Sequence, residues 1–95
     1  MNTIASSLPN KNILPNGLIS IGNNRYLKLD NDITIMFSYS TPVVVISNNL
    51  FGRKVYRTTE FYSITTSRHI NAFLLSIGCD HPEMVSQKII NSYVR

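Results

Sequence analysis

Ile33-Thr34-Ile35-Met36-Phe37-Ser38-Tyr39-Ser40-Thr41-Pro42-Val43-Val44-Val45-Ile46 decides the fold. Its first six residues alternate. Ile33, Ile35 and Phe37 point one way, and Thr34, Met36 and Ser38 point the other, which is the period of a strand. Its last four are β-branched and apolar at every position, which predicts a central strand covered on both faces. Upstream, residues 18–21 and 26–29 read as two more strands. Between them Gly22-Asn23-Asn24 supplies residues that tolerate positive φ, and Asp30-Asn31-Asp32 makes the next turn. Leu27 and Leu29 share one face, Tyr26 and Lys28 the other. Downstream, the loop Asn48-Asn49-Leu50-Phe51-Gly52 leads into a last strand over residues 54–58.

The period then changes. Ile70, Phe73, Leu74 and Ile77 stand at i, i+3, i+4 and i+7, one face of a helix. Thr65, Thr66 or Ser67 is placed to cap its start, and Gly78 to end it. A second helix is expected directly afterwards. Asp80 would cap it, Pro82 would fall in its first turn, and Glu83 stands three residues on, as in a capping box. Its apolar stripe would be Val85, Ile89 and Tyr93, with Ile90 and Val94 beside them. Strands first and helices after is an α+β order. The expected architecture is a four- or five-stranded antiparallel meander followed by a C-terminal helical hairpin packed on one face. Residues 18–95 form the domain, and residues 1–17, rich in Asn, Pro and Ser, read as an irregular arm that Leu8, Ile13 and Leu14 pin down.

At 95 residues the chain has room for one core, and 43% hydrophobic residues suffice to build it. A domain this small has little stability in reserve, so a partner or self-association to a homo-oligomer would matter to it. Nine Lys/Arg against five Asp/Glu give a net charge of +4, from a shortage of acids rather than a basic run. That permits contact with nucleic acid or an acidic protein face without demanding either. Cys79 is the single cysteine, so no internal disulfide forms, which suits a reducing cytoplasm. No secretory signal opens the sequence and no apolar run is long enough for a bilayer, so no membrane role is expected.

Catalytic chemistry finds little support. Cys79, Asp80 and His81 are neighbours, but adjacency is not hydrogen-bond geometry, and Asp80 already has a role as a cap. Ser63 or Ser67 can be drawn with His69 and Asp80 as a triad, without any nucleophile-elbow motif to support it. His69, Cys79 and His81 lack the paired spacing of a zinc site. The four glycines are too far apart for a phosphate loop. The expectation is a non-enzyme with no cofactor and no metal.

Two stretches are left to carry function. The first, Tyr62 to Asn71, gathers Thr65, Thr66, Ser67, Arg68 and His69 at a helix start, where exposed N–H groups and the helix dipole can hold an anion. The simpler account is capping, with Arg68 and His69 solvated or paired with Glu60. Phe37-Ser38-Tyr39-Ser40-Thr41-Pro42-Val43 together with Tyr62-Ser63-x-Thr65-Thr66-Ser67-x-His69-Ile70 resembles a family of small uncharacterised proteins of bacteriophages and plasmids. In that family a Tyr-x-Thr-Pro-Val strand precedes a Tyr-Ser-x-Thr-Thr-Ser-x-His-Ile helix start. The resemblance spans residues 33–75. It implies a mobile-element origin and brings no catalytic residue with it.

The second stretch is the last hairpin. Arg53, Lys54 and Arg57 interleave with Phe51 and Tyr56, a mixture suited to phosphate and base contacts, with Arg68 as a further cation. The simpler account is a solvated edge strand, where charges discourage edge-to-edge pairing. Leu50 and Phe51, at the loop tip, and Tyr56 are instead suited to anchor a protein partner. The expected function is that of a small phage-type accessory protein in the host cytoplasm. It would bind a host or phage protein, as an inhibitor of a host system such as an anti-CRISPR or other anti-defence protein does. The alternative is a nucleic-acid-binding accessory that uses Arg53, Lys54, Arg57 and Arg68.

Overall fold

A computed structural model of the protein describes residues 14–94. The arm expected over residues 1–17 therefore lies mostly outside the described residues, including Leu8 and Ile13. Its last part is a turn. The Leu14 amide donates to the Leu18 carbonyl at 2.8 Å, and the Gly17 amide donates back to the Leu14 carbonyl at 2.8 Å.

Five strands follow as a meander: β1 Ile19–Gly22, β2 Arg25–Asp30, β3 Ile33–Ser38, β4 Thr41–Asn49 and β5 Gly52–Thr58. Each pairs antiparallel with the next. Helix α1, Ile64–Ser76, comes next, then β6, Glu83–Val85, then a short helix α2, Gln87–Ser92. β6 pairs parallel with β5, so the sheet has six strands in sequence order and is mixed. The α+β reading of strands followed by helices stands, with both helices after Ser63.

Three details depart from expectation. The Asp80-Pro82-Glu83 segment does not start a helix but leads into β6. The unpaired edge of β5 is the reason. Tyr56, Arg57 and Thr58 find partners in Glu83, Met84 and Val85, and the Thr59 amide donates to the Val85 carbonyl at 2.9 Å. Backbone groups beside a buried edge need partners more than a marginal helix turn needs its cap. α2 therefore starts later, capped by Ser86, whose hydroxyl accepts from the Ile89 amide at 3.3 Å. That shifts its phase. Ile90, Tyr93 and Val94 turn inward, and Ile89 is exposed.

The third departure is that the two helices lie on opposite faces rather than together. α1 covers Met36, Val43, Val44, Ile46 and Val55 with Ile70, Phe73 and Leu74. α2 covers Ile35, Phe37 and Val45 with Ile90, joined there by Val85. A three-residue strand separates the helices and routes the chain past the sheet edge, so they form no hairpin. This accounts for the unbroken apolar run of β4, which is buried on both sides. A bulge opposite Met36 and Phe37 puts Val43 and Val44 on the same side and leaves Pro42 at the irregularity. A residue without an N–H is tolerated inside a sheet at such a point.

Gly78 ends α1 as expected, with φ at +69°. The Cys79 amide donates to the Leu74 carbonyl at 2.9 Å, and the Gly78 amide to the Leu75 carbonyl at 3.1 Å. This is the doubly bonded left-handed cap that only glycine forms without steric cost.

Candidate functional site

The meander puts three features at one end of the sheet: the β1–β2 turn, the β3–β4 turn and the start of α1. The two halves of the motif singled out in the sequence meet there. Ser38, the last residue of β3, points to the α1 face along with Met36. Its hydroxyl lies 2.8 Å from His69 Nδ1 and 3.0 Å from Thr66 Oγ1. Tyr39 follows, and its ring sits against the His69 imidazole with centroids 5.8 Å apart.

Tyr39 has φ at +58°. It is the first of two turn residues between the Ser38–Thr41 pair, a position where hairpins with positive φ favour glycine. A bulky residue there is strained. The Tyr39 amide is held by the Asn24 carbonyl at 2.7 Å, and the ring by His69. Arg25 completes the cluster. Its guanidinium folds over Gly22, where any Cβ would collide with it, and donates to the Ile21 carbonyl at 3.3 Å.

Burial first, and the Arg25 charge second, hold the His69 pKa below its ordinary 6.5. The neutral ring meets the Ser38 hydroxyl at Nδ1, and that hydroxyl also meets Thr66 Oγ1; the ring tautomer sets which atom of each pair donates. At 1% exposure the Ser38 hydroxyl is out of reach of a substrate in this conformation. The chain Thr66–Ser38–His69 bolts the start of α1 to the end of β3, because buried polar groups are stable only when each has its partner.

A pH dependence follows. The unfolded chain binds a proton at His69 more readily than the folded one, so stability rises with pH across this titration. The His69 contribution should be complete above pH 6.5, fall as pH drops below it, and level off under the depressed native value. Urea unfolding between about pH 8 and about pH 5 should show a steeper loss in the wild type than in His69→Gln. Equal slopes would mean that His69 titrates alike in both states.

The residues proposed from sequence for this region separate. Ser63, not Thr65, Thr66 or Ser67, caps α1, and its hydroxyl accepts from the Thr66 amide at 3.0 Å. The reason is that Thr66 extends the buried stripe of Ile70, Phe73 and Leu74, which turns its hydroxyl inward to Ser38. His69 also turns inward, with Nδ1 on the Ser38 hydroxyl. Thr65 and Arg68 are exposed and Ser67 is half-buried, whereas Thr66 and His69 are joined to Ser38. Arg25 was not singled out in the sequence, and Ser38 entered it only as a strand position and part of the motif. The available signal was a serine at the end of the same β3 face that carries Met36.

At the other end of the sheet lies the β4–β5 hairpin. Leu50 and Phe51 occupy its tip at 99% and 97% exposure. The turn is well built. The Phe51 amide donates to Asn49 Oδ1 at 2.8 Å, and Gly52 takes φ at +124°. Tyr56 is elsewhere, half-buried on the opposite face from Val55 and stacked on Tyr93 with centroids 6.0 Å apart. Burial there, and then Tyr56 itself, raise the Tyr93 pKa above its ordinary value.

The four cations proposed for nucleic acid also spread out. Arg53 donates to the Ile77 carbonyl at 3.1 Å, placing its charge at the C-terminal end of α1, where the helix dipole favours it. Arg57 lies on the same face with its Nε on the Thr58 carbonyl at 3.1 Å. Lys54 points to the opposite face, and Arg68 is exposed near the start of α1. Among the described residues no three of His, Cys, Asp and Glu gather as a metal site, and no helix is long and apolar enough to cross a membrane.

The fold and these contacts define a class: a small α+β protein with a mixed six-stranded sheet and one helix on each face. Residues 10–92 match the model of a family of unknown function, DUF8033, and the chain belongs to that family. No curated protein and no solved structure matches it.

Proposed function

We propose that this protein is a non-catalytic binding module of phage type, and that its hairpin tip docks a host or phage protein to inhibit or redirect it. One observation carries the reading: Leu50 and Phe51 are adjacent, almost fully exposed, and held out on a tight turn. Two large apolar side chains in water are each worth about 1.5–3 kcal/mol if a partner buries them. A fixed turn loses little further entropy on binding. The dispersal of Arg53, Lys54, Arg57 and Arg68 supports a protein partner over a nucleic acid, which needs its cations aligned on one surface. The mobile-element resemblance of residues 33–75 supports the phage setting, and an anti-defence role is one form of inhibition that fits it.

A photoreactive group placed at Phe51 tests the reading in nuclease-treated bacterial lysate. It should crosslink to one protein. With that partner purified, Phe51→Ala should lose about 2 kcal/mol of binding or more, roughly 30-fold, with little change in salt dependence. Folding stability should shift by no more than about 0.5 kcal/mol, since the side chain is in solvent. Binding to nucleic acid instead, with a steep salt slope that neutral substitutions of Arg53, Lys54 and Arg57 flatten, would replace this function with the alternative.

A further inference from the structure

The β5–α1–β6 crossover borders an open cleft of about 480 Å³ on the α1 face of the sheet. Its floor comes from the paired positions Arg57 and Met84, which share a face because parallel partners in register point the same way. Asn71, Leu74 and Leu75 of α1 form one wall, and the segment from Cys79 to Pro82 forms the other. Neither Leu50 nor Phe51 lines it, so this site is independent of the hairpin tip.

Arg57 is the group to explain. It is half-buried, and its Nε is committed to the Thr58 carbonyl at 3.1 Å. That bond holds the side chain; the residue lines the cleft, and its two terminal nitrogens have no protein partner among the described residues. Asp80 lines the same cleft without pairing with it. A guanidinium held still with its fork unoccupied matches a carboxylate in geometry and charge. Around it, Leu75 is 79% exposed and Met84 54%, so the rim offers apolar area that an occupant would cover. The volume lies within the range of small-molecule sites.

We infer that this cleft binds a small monocarboxylate with an apolar body, its carboxylate on Arg57 and its body against Leu75 and Met84. One arginine matches one carboxylate, and the Asp80 charge on the facing wall disfavours a dianion.

The test is a titration of the uniformly labelled protein with 4-methylpentanoate over the millimolar range, followed by amide shifts. 4-Methylpentanamide serves as the uncharged control. The acid should give saturable shifts at Met84, Asn71 and Leu75. The amide should bind about tenfold more weakly or worse, and Arg57→Gln should lose a similar factor, as removal of a charge-assisted hydrogen bond predicts. Asp80→Asn, at an exposed position, should tighten binding. The dispersion of each spectrum reports whether the variant is folded. If Arg57→Gln unfolds, Arg57→Lys and Asp80→Asn carry the comparison, with Arg57→Lys weaker because an ammonium lacks the planar fork. Equal binding of acid and amide, unchanged affinity in the arginine variants, or an absence of shifts at Met84 and Asn71 would overturn the assignment.

Discussion

Phe73→Ala should destabilise the protein by about 3–5 kcal/mol, as truncation of a buried aromatic does. Phe73 lies in the last turn of α1 at 7% exposure, inside the cluster of Met36, Val44, Val55, Ile70 and Leu74. Deleting its ring removes its transfer free energy and leaves a gap in a cluster built from three strands. The sheet beneath cannot close the space, because β4 is pinned from the other face as well. Small domains hold only about 5–15 kcal/mol in total, so the variant should show a marked unfolded fraction in urea well before the wild type. Leu75→Ala, two positions along on the outer side of the helix, should change stability by no more than about 0.5 kcal/mol. A loss under about 1 kcal/mol for Phe73→Ala would mean that the α1 stripe is not core.

Legibility in the sequence followed the range of the cause. Strands β2 to β5 were readable because alternation is local, and the run Val43 to Ile46 announced a strand covered on both sides. Gly78 was readable because a left-handed cap is a one-residue demand. Asp80, Pro82 and Glu83 carry sound local chemistry for a helix start, yet they feed β6. The deciding need, the open edge of β5, lies about 25 residues away in sequence, at residues fixed only once the sheet exists. The late start of α2 then moved the buried position from Ile89 to Ile90. The same holds for the polar cluster. Ser38 and His69 are 31 residues apart, and only the topology brings them to 2.8 Å. Leu50 and Phe51 were legible as a loop tip, whereas the stacking of Tyr56 on Tyr93 depends on which face α2 covers. The Arg57 cleft had no local signature, since its floor and walls come from β5, α1 and β6 together.

Ile90→Ala should cost about 2–5 kcal/mol, even though α2 is only six residues long. Ile90 has no exposed surface and packs with Ile35, Phe37, Val45 and Val85. A helix this short has no stability of its own, so its order depends on that contact. Truncation should therefore both open a cavity and release the helix, visible as lost amide protection over residues 87–92. The sharper outcome concerns coupling. Phe73 and Ile90 belong to separate clusters on opposite faces, with the sheet between them. The milder pair Phe73→Leu and Ile90→Val keeps the protein folded, since Ile→Val costs only about 0.5–1.5 kcal/mol. Their effects should add to within about 0.5 kcal/mol in a double-mutant cycle, as they do for sites with no shared partner. Helices packed together as a hairpin on one face would share a core, and their truncations would couple by about 0.5–3 kcal/mol. A coupling energy above about 1 kcal/mol would thus put both helices on the same side of the sheet and overturn the arrangement in which β6 separates them.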